Sequence, residues 1–249
     1  MTFPHYFHIF GHQIHPHLLM ELIAYTGGFQ IYLRFRKRWP RAAIGVEENL
    51  WIIVGAIFGA VFGSKILAWV ESAPDYWPHR YDPAIILGGK TIVGGLLGGW
   101  AGVEIAKRIL RVRHSTGDAF VFPLIFGMAV GRIGCFLTGV ADHTHGNPSR
   151  LPWAVNEGDG IPRHPTQLYD IVFLCILATV LAIWMRKPRR NGLLFRLFLL
   201  GYMLWRFGVE FIKPRYTYFG LSAIQMACAL GAIVLLFLLA RPTSQEVRL

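Results

Sequence analysis

An all-α, polytopic membrane bundle is the fold class this sequence predicts, and three observations predict it. The first is composition. Of 249 residues, 54% are hydrophobic and only 16% are charged, whereas soluble domains carry about a quarter charged residues. A mean hydropathy of +0.43 points the same way. The second is the length of the apolar runs, since a helix crossing hydrocarbon needs about 20 mostly apolar residues and seven stretches approach that length. The third is where the basic residues fall. The 25 Lys and Arg residues give a formal charge of +11, and most sit in connections between apolar runs, which is a topology pattern rather than a nucleic-acid surface. No nucleic-acid partner is expected.

The seven expected spans are Leu18–Leu33, Leu50–Val70, Ile85–Ala106, Ala119–Val140, Leu168–Met185, Gly192–Ile212 and Leu221–Ala240, within a single membrane domain over residues 1–249. The first is short and carries Glu21. The third is rich in glycine, from Gly88 to Gly102, which permits close helix approach or an interrupted helix. Met1–His17 is polar and His-rich, without a basic segment before a short apolar core, so it does not read as a signal peptide. Its histidines (His5, His8, His12, His15 and His17) read as an interfacial arm. Loops after the first, third and fifth spans, with the tail, hold fifteen Lys or Arg residues, against five in the N-terminus and the other loops. The positive-inside rule then places the N-terminus outside and the C-terminus in the cytoplasm. Three cysteines give neither a disulfide framework nor a zinc spacing.

Five basic residues fall inside the spans: Lys65, Lys90, Arg132, Arg196 and Arg206. Each costs about 2.5–3.5 kcal/mol at a helix centre on insertion scales, so each needs a partner or a function. Lys65 and Arg196 can reach headgroups by snorkelling. Arg132 lies in Gly131-Arg132-Ile133-Gly134 near mid-span. Arg206 lies one turn from both Tyr202 and Glu210, and shares a helix face with the glutamate. The plain reading is an ion pair within the bundle; the sharper one is a guanidinium fork for phosphate. Arg163-His164-Pro165-Thr166-Gln167-Leu168-Tyr169-Asp170 opens the fifth span, with polar residues at the membrane edge. Asp142-His143-Thr144-His145 follows the fourth; its spacing is not a strong metal signature, and no metal or cofactor is expected.

These segments, in this order, resemble the prolipoprotein diacylglyceryl transferase family of the bacterial cytoplasmic membrane. The resemblance rests on Gly88 through Gly98, Gly131 through Gly139, Arg163 through Asp170, and Tyr202 through Lys213. It implies a multi-pass inner-membrane enzyme with its active site facing the outer leaflet. It implies transfer of the diacylglyceryl group of phosphatidylglycerol to a lipoprotein precursor's cysteine thiol, with release of glycerol phosphate. It also implies that Arg132 and Arg206 contact the donor's phosphate, that Tyr202 and Glu210 orient Arg206, and that His164, Gln167 and Tyr169 line the polar site.

Two departures stand out against that family. Its glycine-rich motif places a histidine before a Gly-Gly pair, and here that position is Val93. Its arginine motif continues with Asn and Asn-Gly-Glu, where this chain has Cys135, Thr138-Gly139 and Val140. A base for the incoming thiol must then come from elsewhere, with His164 first and His143 and His145 next. Two further readings stay open: a relative that uses another acceptor, and a non-catalytic phospholipid-binding or lipid-moving protein.

Overall fold

The computed structural model describes residues 3–36, 45–83, 86, 88–186 and 190–240. Eight α-helices lie among them: α1 (Pro16–Phe35), α2 (Val46–Glu71), α3 (Ala73–Tyr76), α4 (Ile92–Ile109), α5 (Val121–Thr138), α6 (Thr166–Trp184), α7 (Leu193–Val209) and α8 (Ala223–Ala240). Among the described residues, four helical stretches are long and apolar enough to cross a membrane: Val46–Glu71, Asp118–Asp142, Thr166–Trp184 and Ala223–Ala240. Much of the basic-loop count lies outside the described residues, namely Lys37, Arg38, Arg41, Lys187, Arg189, Arg241 and Arg248.

The chain divides into two compact units. One holds Met1–Pro40, Thr116–Phe198 and Phe211–Pro214; the other holds Arg41–Ser115, Leu199–Glu210 and Arg215–Leu249. In the first unit, a short hairpin of β1 (Phe7–Ile9) and β2 (His12–Ile14) precedes α1. Its turn is Phe10-Gly11, both with positive φ, the geometry that suits the twist of a two-residue hairpin. The helix then begins two residues before the expected span, because Pro16 presets its first turn and the His15 side chain accepts a hydrogen bond from the His17 N–H at 3.2 Å. Helix α5 packs between α1 and α6. Asp118, buried before α5, accepts hydrogen bonds from Gly192 N–H at 2.6 Å and Phe195 N–H at 2.9 Å, satisfying donors at the start of α7. A second hairpin, β3 (Val155–Asn156) with β4 (Pro162–Arg163), leads into α6.

In the second unit, α2 packs along α4 through facing glycines. A methyl group on Gly98 would run into the Gly59 carbonyl, and one on Gly102 into that of Gly55. Backbones this close suit association in lipid, where burial of apolar surface gives helices no net drive to associate. The other side of α2 exposes Leu50, Trp51, Phe58, Val61 and Phe62. Such a contiguous apolar face would promote aggregation in water but matches hydrocarbon.

The third expected span is shorter than its apolar run. Ile85 and Leu87 lie outside the described residues, and Gly88–Thr91 is not helical. Gly89 takes φ +55°, and the Lys65 ammonium donates to the Gly88 and Gly89 carbonyls at 2.8 and 3.0 Å. Lys65 therefore holds a broken stretch of backbone instead of snorkelling. Thr91 caps α4 by accepting from Gly94 N–H. The sixth span likewise ends earlier as α-helix, at Val209, and continues as a 3-10 turn over Glu210–Ile212.

Candidate active site

The first unit gathers a polar cluster at the start of α1 and α6 and the end of α5. Arg132, 5% exposed, forms an ion pair with Asp170, 1% exposed, with Nε 2.7 Å from Oδ2. A buried guanidinium without a counter-charge would cost several kcal/mol, so the aspartate is what makes the mid-helix arginine tolerable. The pair joins α5 to α6. It is net neutral, so any attraction it has for an anion rests on hydrogen-bond geometry rather than on surplus charge.

Beside this pair runs a chain of hydrogen bonds. Thr144 Oγ1 donates to Asp142 Oδ2 at 2.7 Å, and Asp142 Oδ1 lies 3.3 Å from His17 Nε2. Gln167, fully buried, donates from Nε2 to Glu157 Oε2 at 2.8 Å and to Thr144 Oγ1 at 3.3 Å. Thr166 Oγ1 donates to the Thr144 carbonyl, tying the loop to the first turn of α6. Burial pushes the Glu157 carboxyl above the ordinary carboxylate range; the Gln167 hydrogen bond and the Arg163 charge oppose that rise without cancelling it.

The expected site histidines occupy three different settings. His164 is half-buried and places Nδ1 3.3 Å from Tyr169 Oη, which accepts a hydrogen bond from Trp153 Nε1 at 2.8 Å. Trp153 can only donate, so the Tyr169 hydroxyl keeps its own proton to offer His164. With Nδ1 turned toward Tyr169, Nε2 is the other proton-exchanging atom of the ring. His143 is exposed and left-handed, at φ +54°. His145 is half-buried, with Nδ1 3.2 Å from the Gly146 carbonyl. Burial lowers its pKa, which keeps the imidazole neutral near neutrality and able to accept a proton.

The second unit holds the other arginine. Arg206, 3% exposed, pairs with Glu210, 2% exposed, one turn later on the same helix face. Arg215 donates to the Glu210 carbonyl. Tyr202 is 1% exposed and lies one turn before Arg206. At the apolar position Val93, 2% exposed, no side chain can move a proton.

Residues 4–241 match the family described as prolipoprotein diacylglyceryl transferase. The chain belongs to that family. It is 32% identical to the phosphatidylglycerol–prolipoprotein diacylglyceryl transferase of Bordetella avium over 94% of this chain and 93% of that protein. The same enzyme of Idiomarina loihiensis is 32% identical over 90% and 85%, and that of Polynucleobacter asymbioticus is 33% identical over 86% and 84%. Within this family member, the partners that sequence reasoning missed are the buried Asp170 and Glu157 and the half-buried His17. Asp170 had a usable signal, since an intramembrane arginine needs an acidic partner and this aspartate opens the fifth span. Glu157 had none, because it is buried by the fold of a loop.

Proposed function

We propose that the chain is a phosphatidylglycerol-dependent diacylglyceryl transferase of the bacterial inner membrane. Its substrates are the phospholipid and the cysteine thiol of a lipoprotein precursor. The observation that carries the reading is the family match over nearly the whole chain, which includes both buried arginines. In this proposal the chain is one membrane domain of seven spans. Its N-terminus faces outward and its active site faces the outer leaflet, as the fifteen-to-five distribution of basic residues supports.

The reaction joins the thiol sulfur to the terminal glycerol carbon of the diacylglyceryl group. That carbon's bond to the phosphate oxygen breaks, the electron pair leaves with the oxygen, and glycerol phosphate is released. The charge arriving on the departing phosphate must be met by preorganised donors in a water-poor site. Arg132, paired with Asp170, is such a donor in the first unit, and Arg206, paired with Glu210, is one in the second. Gln167 and Tyr169 act as headgroup contacts in the first unit, and Tyr202 keeps Arg206 in place in the second. His164, with His145 and His143 behind it, receives or returns a proton near the reacting groups.

The test is complementation of a bacterium depleted of its own transferase, paired with glycerol phosphate release from phosphatidylglycerol and a lipobox peptide by purified protein. Growth with release supports the reading. Phospholipid binding without release from any thiol peptide overturns it in favour of a different acceptor or a lipid-binding role. Val93 is the specific observation that favours that second reading.

A further inference from the structure

We propose that His17, Cys135 and Asp142 bind one zinc-like divalent cation with an open fourth position, which takes the acceptor thiol. The proposal deepens the transferase reading and rests on it for the identity of that fourth ligand. The three residues come from different places in the first unit: the first turn of α1, the last turn of α5, and the 3-10 turn after it. His17 nitrogen, Cys135 Sγ and an Asp142 oxygen all lie within 4.8 Å of one another. His17 Nε2 and Asp142 Oδ1 are 3.3 Å apart. Ligand atoms about 2.0–2.3 Å from a tetrahedral zinc stand roughly 3.3–3.8 Å from each other. Small side-chain movements would therefore close the set around an ion.

The donor chemistry is selective. One thiolate, one imidazole and one carboxylate suit zinc, whereas magnesium and calcium take oxygen alone. Three protein ligands with one open position is the pattern of a catalytic rather than a structural site. The surroundings orient the ligands as an outer layer should. Thr144 occupies Asp142 Oδ2, which leaves Oδ1 on the His17 side, and Gln167 in turn holds Thr144. The backbone is also shaped for the approach. A Cβ at Gly134 would lie 3.1 Å from Met20 Cβ and 3.3 Å from His17 Nδ1, so the absence of a side chain lets α1 meet α5 here. Gly139 at φ +73° turns the chain so that Asp142 comes back toward Cys135. A buried cysteine ordinarily packs as a small hydrophobe. Cys135, 8% exposed, instead lies with its sulfur within 4.8 Å of a His17 nitrogen and an Asp142 oxygen.

The site also answers the loss at Val93. A thiol bound at the open position gives its proton to water as the metal takes the thiolate, since a coordinating thiol is deprotonated. The sulfur then forms its bond to the glycerol carbon while the carbon–oxygen bond to phosphate breaks. Arg132 lies three residues before Cys135 on the same helix, so the phosphate donor and the metal ligand share one face and one turn.

The test uses the full chain, purified in detergent, stripped with a chelator and titrated with Zn²⁺ and Co²⁺ alone. One ion per chain is expected, and Co²⁺ should show a thiolate-to-metal charge-transfer band. Cys135→Ser should abolish that band, while Cys175→Ser and Cys228→Ser should keep it. His17→Ala and Asp142→Asn should weaken binding by at least about tenfold to hundredfold, the cost that even an outer-layer partner carries. If Cys135→Ser fails to fold, zinc protection of Cys135 from maleimide in the parent protein gives the same information. No stoichiometric binding, or a band that survives Cys135→Ser, overturns the site. Glycerol phosphate release by metal-free protein at full rate also overturns it. Binding through these three residues without any transfer keeps the site and removes the transferase reading instead.

Discussion

At the scale of single residues, the two arginines come with carboxylate partners, and that shapes what their removal does. Arg132→Ala leaves Asp170 buried and uncompensated, a loss of about 3–5 kcal/mol in stability. Arg132→Lys keeps the charge but not the planar fork, so lipid transfer should fall by ~10²-fold or more while the protein still unfolds cooperatively. Glycerol phosphate release and phosphatidylglycerol binding on folded protein check this, and unchanged values for both Arg132→Ala and Arg206→Ala would remove the phosphate assignment. A side-chain base contributes about 10²–10⁴-fold, so His164→Ala, or His143→Ala with His145→Ala, should slow release more than it weakens lipid binding. Equal losses in both measurements would assign those histidines to binding alone. Glu157 gives a pH prediction. Burial raises its folded-state pKa, so the folded protein holds a proton that the unfolded chain has already lost. Stability should therefore fall as pH rises from the ordinary carboxylate value through the raised one. Glu157→Gln keeps a hydrogen bond for Gln167 and carries no charge, so it should raise the unfolding temperature at pH 7 and flatten that pH dependence. A variant less stable than the parent at pH 7 would show that the partners of the ionised carboxylate stabilise it more than burial disfavours it.

At the scale of helices, the glycines of α2 and α4 are not interchangeable. Gly98 faces the Gly59 carbonyl with no room for a methyl, whereas a Cβ on Gly99 would meet Ala60 Cβ at 3.4 Å, ordinary contact. Gly98→Ala should destabilise the second unit by about 1–3 kcal/mol through forced separation of the helices. Gly99→Ala should be neutral or slightly stabilising. Thermal unfolding in detergent distinguishes them, and equal effects would mean that α2 and α4 do not pack through this seam. The same close packing explains why the glycine-rich run was visible in sequence but its helix start was not. Lys65, one span away, holds the Gly88 and Gly89 carbonyls that an uninterrupted helix would have used.

For the whole molecule, topology follows from charge. Reporter fusions after Arg190 and after Leu249 should both read cytoplasmic, given the concentration of basic residues in alternate connections. A periplasmic signal at either would break the proposed seven-span arrangement and put the His164 segment on the face opposite to the one proposed. The helical membrane class was legible in the sequence because hydrocarbon imposes its requirement locally: each span must satisfy its own backbone and be apolar along its own length. Family membership was legible for a related reason, since Gly131-Arg132-Ile133-Gly134 and His164-Pro165-Thr166-Gln167 are each continuous in the chain. What only the tertiary structure decided are the pairings across segments. Arg132 meets Asp170 and Gln167 meets Glu157. His17 joins Cys135 and Asp142 although more than a hundred residues separate it from either. A five-histidine N-terminus looks like one polar arm in sequence, yet Pro16 starts a helix within it and carries His17 into the site. Local chemistry settles which segments cross the membrane; which buried charges meet depends on how those segments pack, and neither spacing nor composition encodes that.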